Sequence, residues 1–252
     1  MVVNLLDTQA LVFSLLSVKL PNTEHILVRL QLCWLKKTEM FTREFEVGAQ
    51  NKIILIDQKL EGDTGVVVWD AALVLAKYLE LCDVSGKTVV ELGSGTGFVG
   101  LAAAALGIKK NKLGGSVILS DLEENLDLLN HNINKNKAVC EKIKAKVLKW
   151  GDRKAVQEIL QGIKVDFLLV ADCVYYTESL EDLVNTLLEL SNSTTQLLVS
   201  YEDRDSTAKI ELQNKFSSLM NHHFNSSEVP LHNQHTNFRS FDIHIFIYTL
   251  KH

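Results

Sequence analysis

From residue 87 onward, continuous apolar runs alternate with amphipathic ones. The apolar runs at 88–92, 116–120, 144–149, 165–171 and 196–201 read as strands buried on both faces. Between them, 99–106 is a helix of small residues that can pack closely on a sheet. Segments 122–136, 179–190 and 207–220 have helical spacing, as does 71–81 before the first strand. Residues 242–248 alternate apolar and polar and read as a last strand. Strands of this kind between helices predict an α/β domain with a doubly wound, mostly parallel sheet covered on both faces.

Residues 1–60 have a different texture. Segments 27–32, 41–47 and 52–56 alternate in the manner of short, antiparallel strands. They predict a β-rich N-terminal extension ahead of the main domain at 61–252. A glycine-bounded loop, Glu61-Gly62-Asp63-Thr64-Gly65, leads into Val66-Val67-Val68-Trp69-Asp70. Only two prolines occur, Pro21 and Pro230, so no proline-rich linker divides the domain.

Composition narrows the setting. With 252 residues and 46% hydrophobic side chains, the chain can build one large core. No apolar run reaches the ~18 residues of a membrane span, and the N-terminus lacks signal-peptide features. Cys33, Cys82, Cys140 and Cys173 form no C-x-x-C pair. They read as reduced thiols of a cytoplasmic protein with neither zinc site nor disulfide framework. The net charge of −5 argues against a nucleic-acid partner. The lysines at 135, 137, 142, 144, 146 and 149 read as a solvated helix end and strand edge, since no aromatics interleave them. His222, His223, His232 and His235 cluster in loop-like sequence without acid or thiol companions, and no metal is expected there.

The sharpest motif is Glu91-Leu92-Gly93-Ser94-Gly95-Thr96-Gly97, which follows a strand and opens a helix. Glycines there allow positive φ and let a ligand lie against bare backbone. Gly95-Thr96-Gly97-Phe98-Val99-Gly100 also satisfies G-x-G-x-x-G, so a dinucleotide such as NAD is an alternative ligand. Glu91 favours a ligand with a cationic end, because a carboxylate would repel a pyrophosphate. Asp121 ends the second strand, where it can accept from ribose hydroxyls or cap the next helix. Trp150 follows the third strand and either stacks on an adenine or fills the core, and Trp69 is similarly two-sided.

The fourth strand ends Ala171-Asp172-Cys173-Val174-Tyr175-Tyr176. Ligands of doubly wound sheets bind outside the strand carboxyl ends. Asp172 can therefore hold a cationic amine, and Tyr175 can wall the acceptor's channel. Alternatively, Asp172 caps a turn and Tyr175 belongs to the core.

Together these residues resemble the methyltransferase-like 21 group of class I, seven-β-strand methyltransferases, from about Gly62 onward. The resemblance is carried by Val67-Val68-Trp69-Asp70-Ala71-Ala72, the Glu91–Gly97 motif, Asp121-Leu122-Glu123-Glu124, Lys149-Trp150-Gly151, and the D-x-x-Y of Asp172 and Tyr175. It implies a Rossmann-like, seven-stranded sheet and S-adenosyl-L-methionine as cofactor. Trp69, Gly93, Ser94, Gly95, Asp121, Trp150 and Ala171 would contact that cofactor, and Asp172 and Tyr175 would serve catalysis. Within the group, the similarity is to the branch whose substrate is a lysine of the valosin-containing AAA ATPase. A cytoplasmic, monomeric protein-lysine methyltransferase is implied. A methyltransferase for another protein or a small molecule, and a catalytically silent partner of a chaperone or AAA ATPase, are the alternatives. Two departures from the group stand out: the segment 109–115 lengthens the approach to the second strand, and residues 1–50 match less clearly.

Overall fold

The structure, a computed structural model, describes residues 40–50, 52–62, 64–107 and 115–251. The strand expected at 27–32 lies outside them. β1 (Met40–Val47) and β2 (Lys52–Lys59) pair as a two-stranded sheet. The main sheet has seven strands, β3 (Val89–Leu92), β4 (Val117–Asp121), β5 (Ile143–Val147), β6 (Phe167–Ala171), β7 (Gln196–Glu202), β8 (Phe224–Glu228) and β9 (Ile243–Leu250). Their spatial order is β5-β4-β3-β6-β7-β9-β8. β3 to β7 pair in parallel, while β9 runs antiparallel to β7 and to β8. The expected doubly wound α/β sheet is therefore present. Its order reverses between β3 and β6, which opens a crevice at their carboxyl ends.

Successive strand residues point to opposite faces, and this splits the apolar strands between two cores. Val89, Val117, Leu119, Phe167 and Leu169 pack with α1 (Asp70–Leu79), α2 (Phe98–Gly107), α3 (Leu126–Lys135) and the β1–β2 pair. Val90, Ile118, Leu168, Val170 and Val199 pack with α4 (Arg153–Leu160), α5 (Leu180–Leu190) and α6 (Thr207–His223). Each fully buried Leu or Ile in these layers contributes about 1.5–3 kcal/mol.

Two side-chain amides satisfy the backbone of β2. Asn132 accepts from the Asp57 amide at 2.9 Å and donates to its carbonyl at 3.0 Å. Asn136 does the same for Leu55, at 2.9 and 2.8 Å. Both asparagines are buried. They replace a neighbouring strand, whose absence would leave costly orphaned peptide groups. Asp57 itself accepts from Thr42, His131 and Lys135. Lys135, the last residue of α3 and exposed, thus makes an ion pair with a buried carboxylate at that helix end.

Some elements differ from the sequence reading. The helix expected at 122–136 starts with a 3-10 turn, Glu123–Asn125, before α3. The third strand stops at Val147, leaving Leu148 and Trp150 to turn over the crevice. α4 and β8 were not anticipated. α4 has eight residues with only Val156 and Ile159 buried, and β8 buries only Phe224. Neither offers a long enough apolar pattern to be read.

Candidate active site

A cavity of about 1120 Å³ opens at the carboxyl ends of the parallel strands. Trp69, Gly93, Ser94, Gly95, Asp121, Trp150, Ala171, Asp172 and Tyr175, far apart in sequence, all line it. The glycine loop is its floor. Gly93 and Gly95 have φ of +61° and +52°, a region that side chains disfavour. A Cβ on Gly93 would sit 2.7 Å from Cys173 Sγ and 3.3 Å from the Trp150 ring. A Cβ on Gly95 would sit 2.7 Å from the Gly65 carbonyl. Residues 64–69 therefore close over the loop from above, and Trp69 is fixed there by its Nε1–H donating to the Thr64 carbonyl at 2.8 Å.

Glu91 lies beneath the loop, 2% exposed, and Oε2 accepts from the Gly100 amide at 3.0 Å. Burial pushes its carboxyl up to about 8, against the opposing effect of that hydrogen bond. The ligand-free protein thus carries a protonated Glu91 at neutral pH. Ser94 is buried and already committed: its hydroxyl accepts from the Ser120 amide at 3.0 Å, which ties the loop to β4. Its backbone is engaged as well, the amide donating to the Ser120 carbonyl at 3.0 Å and the carbonyl accepting from the Gly97 amide at 2.7 Å, so Ser94 shapes the loop.

Asp121 Oδ2 accepts from the Gly95 amide at 2.6 Å. Oδ1 accepts from the Leu122 amide and from Asn125 Nδ2, both at 2.8 Å. A carboxylate has about four acceptor sites, so three are engaged by the chain itself. The N-cap position of α3 is Asn125, which makes no side-chain cap hydrogen bond, so Asp121 does not cap that helix. Leu122, Leu148 and Trp150 line the cavity as well.

At the opposite wall, Asp172 holds a φ of +52°, uncommon for a side-chain-bearing residue and a mark of functional sites. Its amide donates to the Ser200 carbonyl at 2.8 Å. Its Oδ2 accepts from Arg204 Nη2 at 2.7 Å, and Arg204 Nη1 reaches Glu202 Oε2 at 3.0 Å. The Arg204 guanidinium lies 5.7 Å from the Trp69 ring centroid. Tyr175 meets Tyr176 edge-on at 4.6 Å, and its carbonyl accepts from Lys209 Nζ at 3.1 Å.

The sequence reading did not single out Leu122, Asn125, Glu202 or Arg204. Its available signal was the run Glu202-Asp203-Arg204-Asp205 at the end of a parallel strand, the position at which such sheets bind ligands. Among the described residues no three His, Cys, Asp or Glu side chains converge as a metal ligand set. The residues present fit a nucleoside carrying a cationic amino-acid end. The apolar Leu122, Leu148 and Trp150 suit a base, Asp121 suits a diol, and glycine backbone over a buried carboxyl suits the charged end.

Residues 48–223 match a family model described as lysine methyltransferase. Protein N-lysine methyltransferase METTL21A of Xenopus tropicalis is 32% identical over 216 residues, 84% of this chain and 89% of that protein. The METTL21A of Danio rerio is 33% identical over 79% of this chain and 89% of its own length. EEF1A lysine methyltransferase 3 of Xenopus tropicalis is 32% identical over 66% of this chain and 71% of its own. Among solved structures, the methyltransferase SMU.776 complexed with SAH superposes with a TM-score of 0.55 at 14% identity, covering 84% of this chain and 56% of that one. That likeness is one of fold. Taken with the family match and the METTL21A relatives, it places the chain in the lysine methyltransferase family, enzymes of the class I fold whose methyl donor is S-adenosyl-L-methionine.

Proposed function

We propose that this chain transfers methyl groups from S-adenosyl-L-methionine to one lysine of the valosin-containing AAA ATPase. Trp69, Gly93, Ser94, Gly95, Asp121, Trp150 and Ala171 hold the donor, and Asp172 and Tyr175 face the acceptor amine. The observation that carries this reading is that the glycine loop after β3, Asp121, Asp172 and Tyr175 line one cavity at the carboxyl ends of the parallel strands. Acidic side chains outnumber basic ones around it, which suits a cationic acceptor on a protein surface. The donor supplies an activated methyl group, so what the chain itself must provide is alignment and exclusion of water. Asp172 orients the amine, and Tyr175 and Trp69 narrow the approach. The enzyme works as a cytoplasmic monomer.

The test is labelled-methyl transfer to purified valosin-containing AAA ATPase, with EEF1A as a parallel acceptor because one relative is named for it. Peptide mass spectrometry then places the modified residue. Label on one lysine of the ATPase supports the proposal. Label on EEF1A alone moves the substrate. Binding of S-adenosyl-L-methionine with no transfer to any protein favours a silent binding partner, and preference for NAD in calorimetry removes the donor assignment.

A further inference from the structure

We propose that Arg204 is the positioning residue that lets the acceptor lysine react as a neutral amine, by cancelling the charge of the Asp172–Glu202 carboxylate pair. This rests on the lysine-acceptor reading above. Asp172 and Glu202 come from the ends of the adjacent parallel strands β6 and β7, where Ala171 pairs with Ser200. Arg204 bridges them at 2.7 and 3.0 Å. All three line the cavity beside Trp69.

A lysine amine has a pKa of about 10.4 in water and is a nucleophile only after losing its proton. Two bare carboxylates would orient it but also hold it protonated, each opposite charge raising its pKa by about 1–3 units. A fixed cation between the carboxylates offsets that effect while leaving Asp172 oxygen atoms to accept hydrogen bonds. A guanidinium is well suited to this role, because it stays charged at any working pH and its fork engages two carboxylates at once. In the step itself, the amine first gives its proton to solvent. Its lone pair then forms the N–C bond to the methyl group. The C–S bond breaks with its electron pair remaining on sulfur, leaving a neutral thioether and a methylated ammonium.

Other charges face this pair. From the β7–α6 loop come Asp203 and Asp205, and Asp203 is held by His244 of β9 at 3.1 Å. From α6 comes Lys209, which donates to the Tyr175 carbonyl at 3.1 Å. Tyr175 and Glu178 follow β6, and α5 contributes Asp182. Lys149, Glu91 and Asp121 lie on the donor's side of the cavity. All are common to the wild type and to Arg204 variants, so the comparison of rates isolates what changes with the guanidinium.

The experiment measures single-turnover methyl transfer to purified valosin-containing AAA ATPase from about pH 6.5 to 10 for wild type, Arg204→Lys and Arg204→Gln. Arg204→Gln should fall roughly tenfold behind wild type near neutral pH and converge with it at the alkaline end, a displacement of about one unit in the acid limb. Arg204→Lys, which keeps the charge, should stay close to wild type. A loss equal at every pH, or a gain on removing the guanidinium, would overturn the assignment. A second measurement needs no protein acceptor: calorimetry of n-butylammonium with the full chain loaded with S-adenosylhomocysteine. The Arg204→Gln protein should bind this ammonium about tenfold more tightly than wild type, because the carboxylate pair is then uncompensated. No gain in ammonium affinity overturns the Arg204 role. A gain in ammonium affinity with no methylation of the ATPase by the wild type leaves the charge cancellation standing and removes the ATPase as the acceptor.

Discussion

Gly95 and Asp121 are joined by a 2.6 Å hydrogen bond from the glycine amide to carboxylate Oδ2, which locks the glycine loop of β3 to the end of β4. The same carboxylate holds the Leu122 amide and Asn125 through Oδ1. Asp121 therefore shapes the donor pocket before any donor arrives. Asp121→Ala is expected to lose both functions. Three buried or half-buried donors lose their acceptor, at about 1–3 kcal/mol for each one left unsatisfied. Donor affinity should drop by roughly 100-fold, about 3 kcal/mol, as a charged acceptor for the ribose disappears. Asp121→Asn keeps one acceptor oxygen and should fold better than the alanine variant while still binding S-adenosyl-L-methionine weakly. Thermal unfolding and calorimetry of both variants check this, and unchanged donor affinity in either would remove Asp121 from the ribose.

Gly100 sits one turn into α2, where a Cβ would fall 2.0 Å from Leu119 Cδ2 and 2.8 Å from Glu91 Oε2. The helix and β4 touch there without room for a methyl group. Gly100→Ala should therefore destabilise the protein by about 1–3 kcal/mol through overpacking, despite alanine's better helix propensity. Urea unfolding measures this. A stabilised variant would mean that Leu119 can rotate away at little cost.

Asp57 makes stability depend on acid. Burial alone would raise its pKa, but hydrogen bonds from Lys135, Thr42 and His131 overcome that and hold the carboxyl at about 2, below its ordinary 3.8. A depressed carboxyl stabilises the fold above its unfolded pKa, and that stability is lost as pH falls through the folded value. The displacement corresponds to about 2 kcal/mol at neutral pH. Asp57→Asn should be less stable by about that amount at neutral pH, with the deficit closing between about pH 4 and 2. Parallel urea titrations of the two proteins decide it, and a deficit that persists at pH 2 would assign the loss to packing instead.

The parts of the fold written as uninterrupted apolar runs are legible in the sequence. β3, β4, β6 and β7 carry the consecutive buried apolar residues Val89-Val90, Val117–Leu119, Phe167–Val170 and Leu197–Val199, with Glu91, Ser120, Asp121 and Ser200 towards their carboxyl ends. The glycine motif and the Asp172–Tyr175 pair could be placed because both follow such strands. β8 could not be, since an edge strand with one buried side chain carries no alternation. The partners of charged residues were equally hidden. Lys135 reads as one lysine among several until α3 lies across β2 and meets Asp57. Arg204 sits in a run of acids that reads as a solvated turn, and only the pairing of β6 with β7 brings it to Asp172.

Glu91 links donor binding to a proton. Its carboxyl is buried beneath the glycine loop and pushed up to about 8, so it is protonated in the folded, ligand-free protein at neutral pH and ionised in the unfolded chain. The folded state then binds more protons, and its stability should decline as pH rises from about 4.5 to about 8 and level off beyond. Glu91→Gln imitates the protonated form and should lack that decline, which unfolding at several pH values would record. A donor with a cationic end placed over Glu91 favours the ionised form. Binding of S-adenosyl-L-methionine to the wild type near pH 7 should accordingly release close to one proton, and Glu91→Gln should release none. Calorimetry in buffers of different ionisation enthalpy counts those protons directly. An apparent binding enthalpy that ignores the buffer in the wild type would mean that Glu91 stays protonated under the donor. Its part in the motif would then be to hold the Gly100 amide and the turn above it, and the charge of the donor would have to be met elsewhere in the cavity.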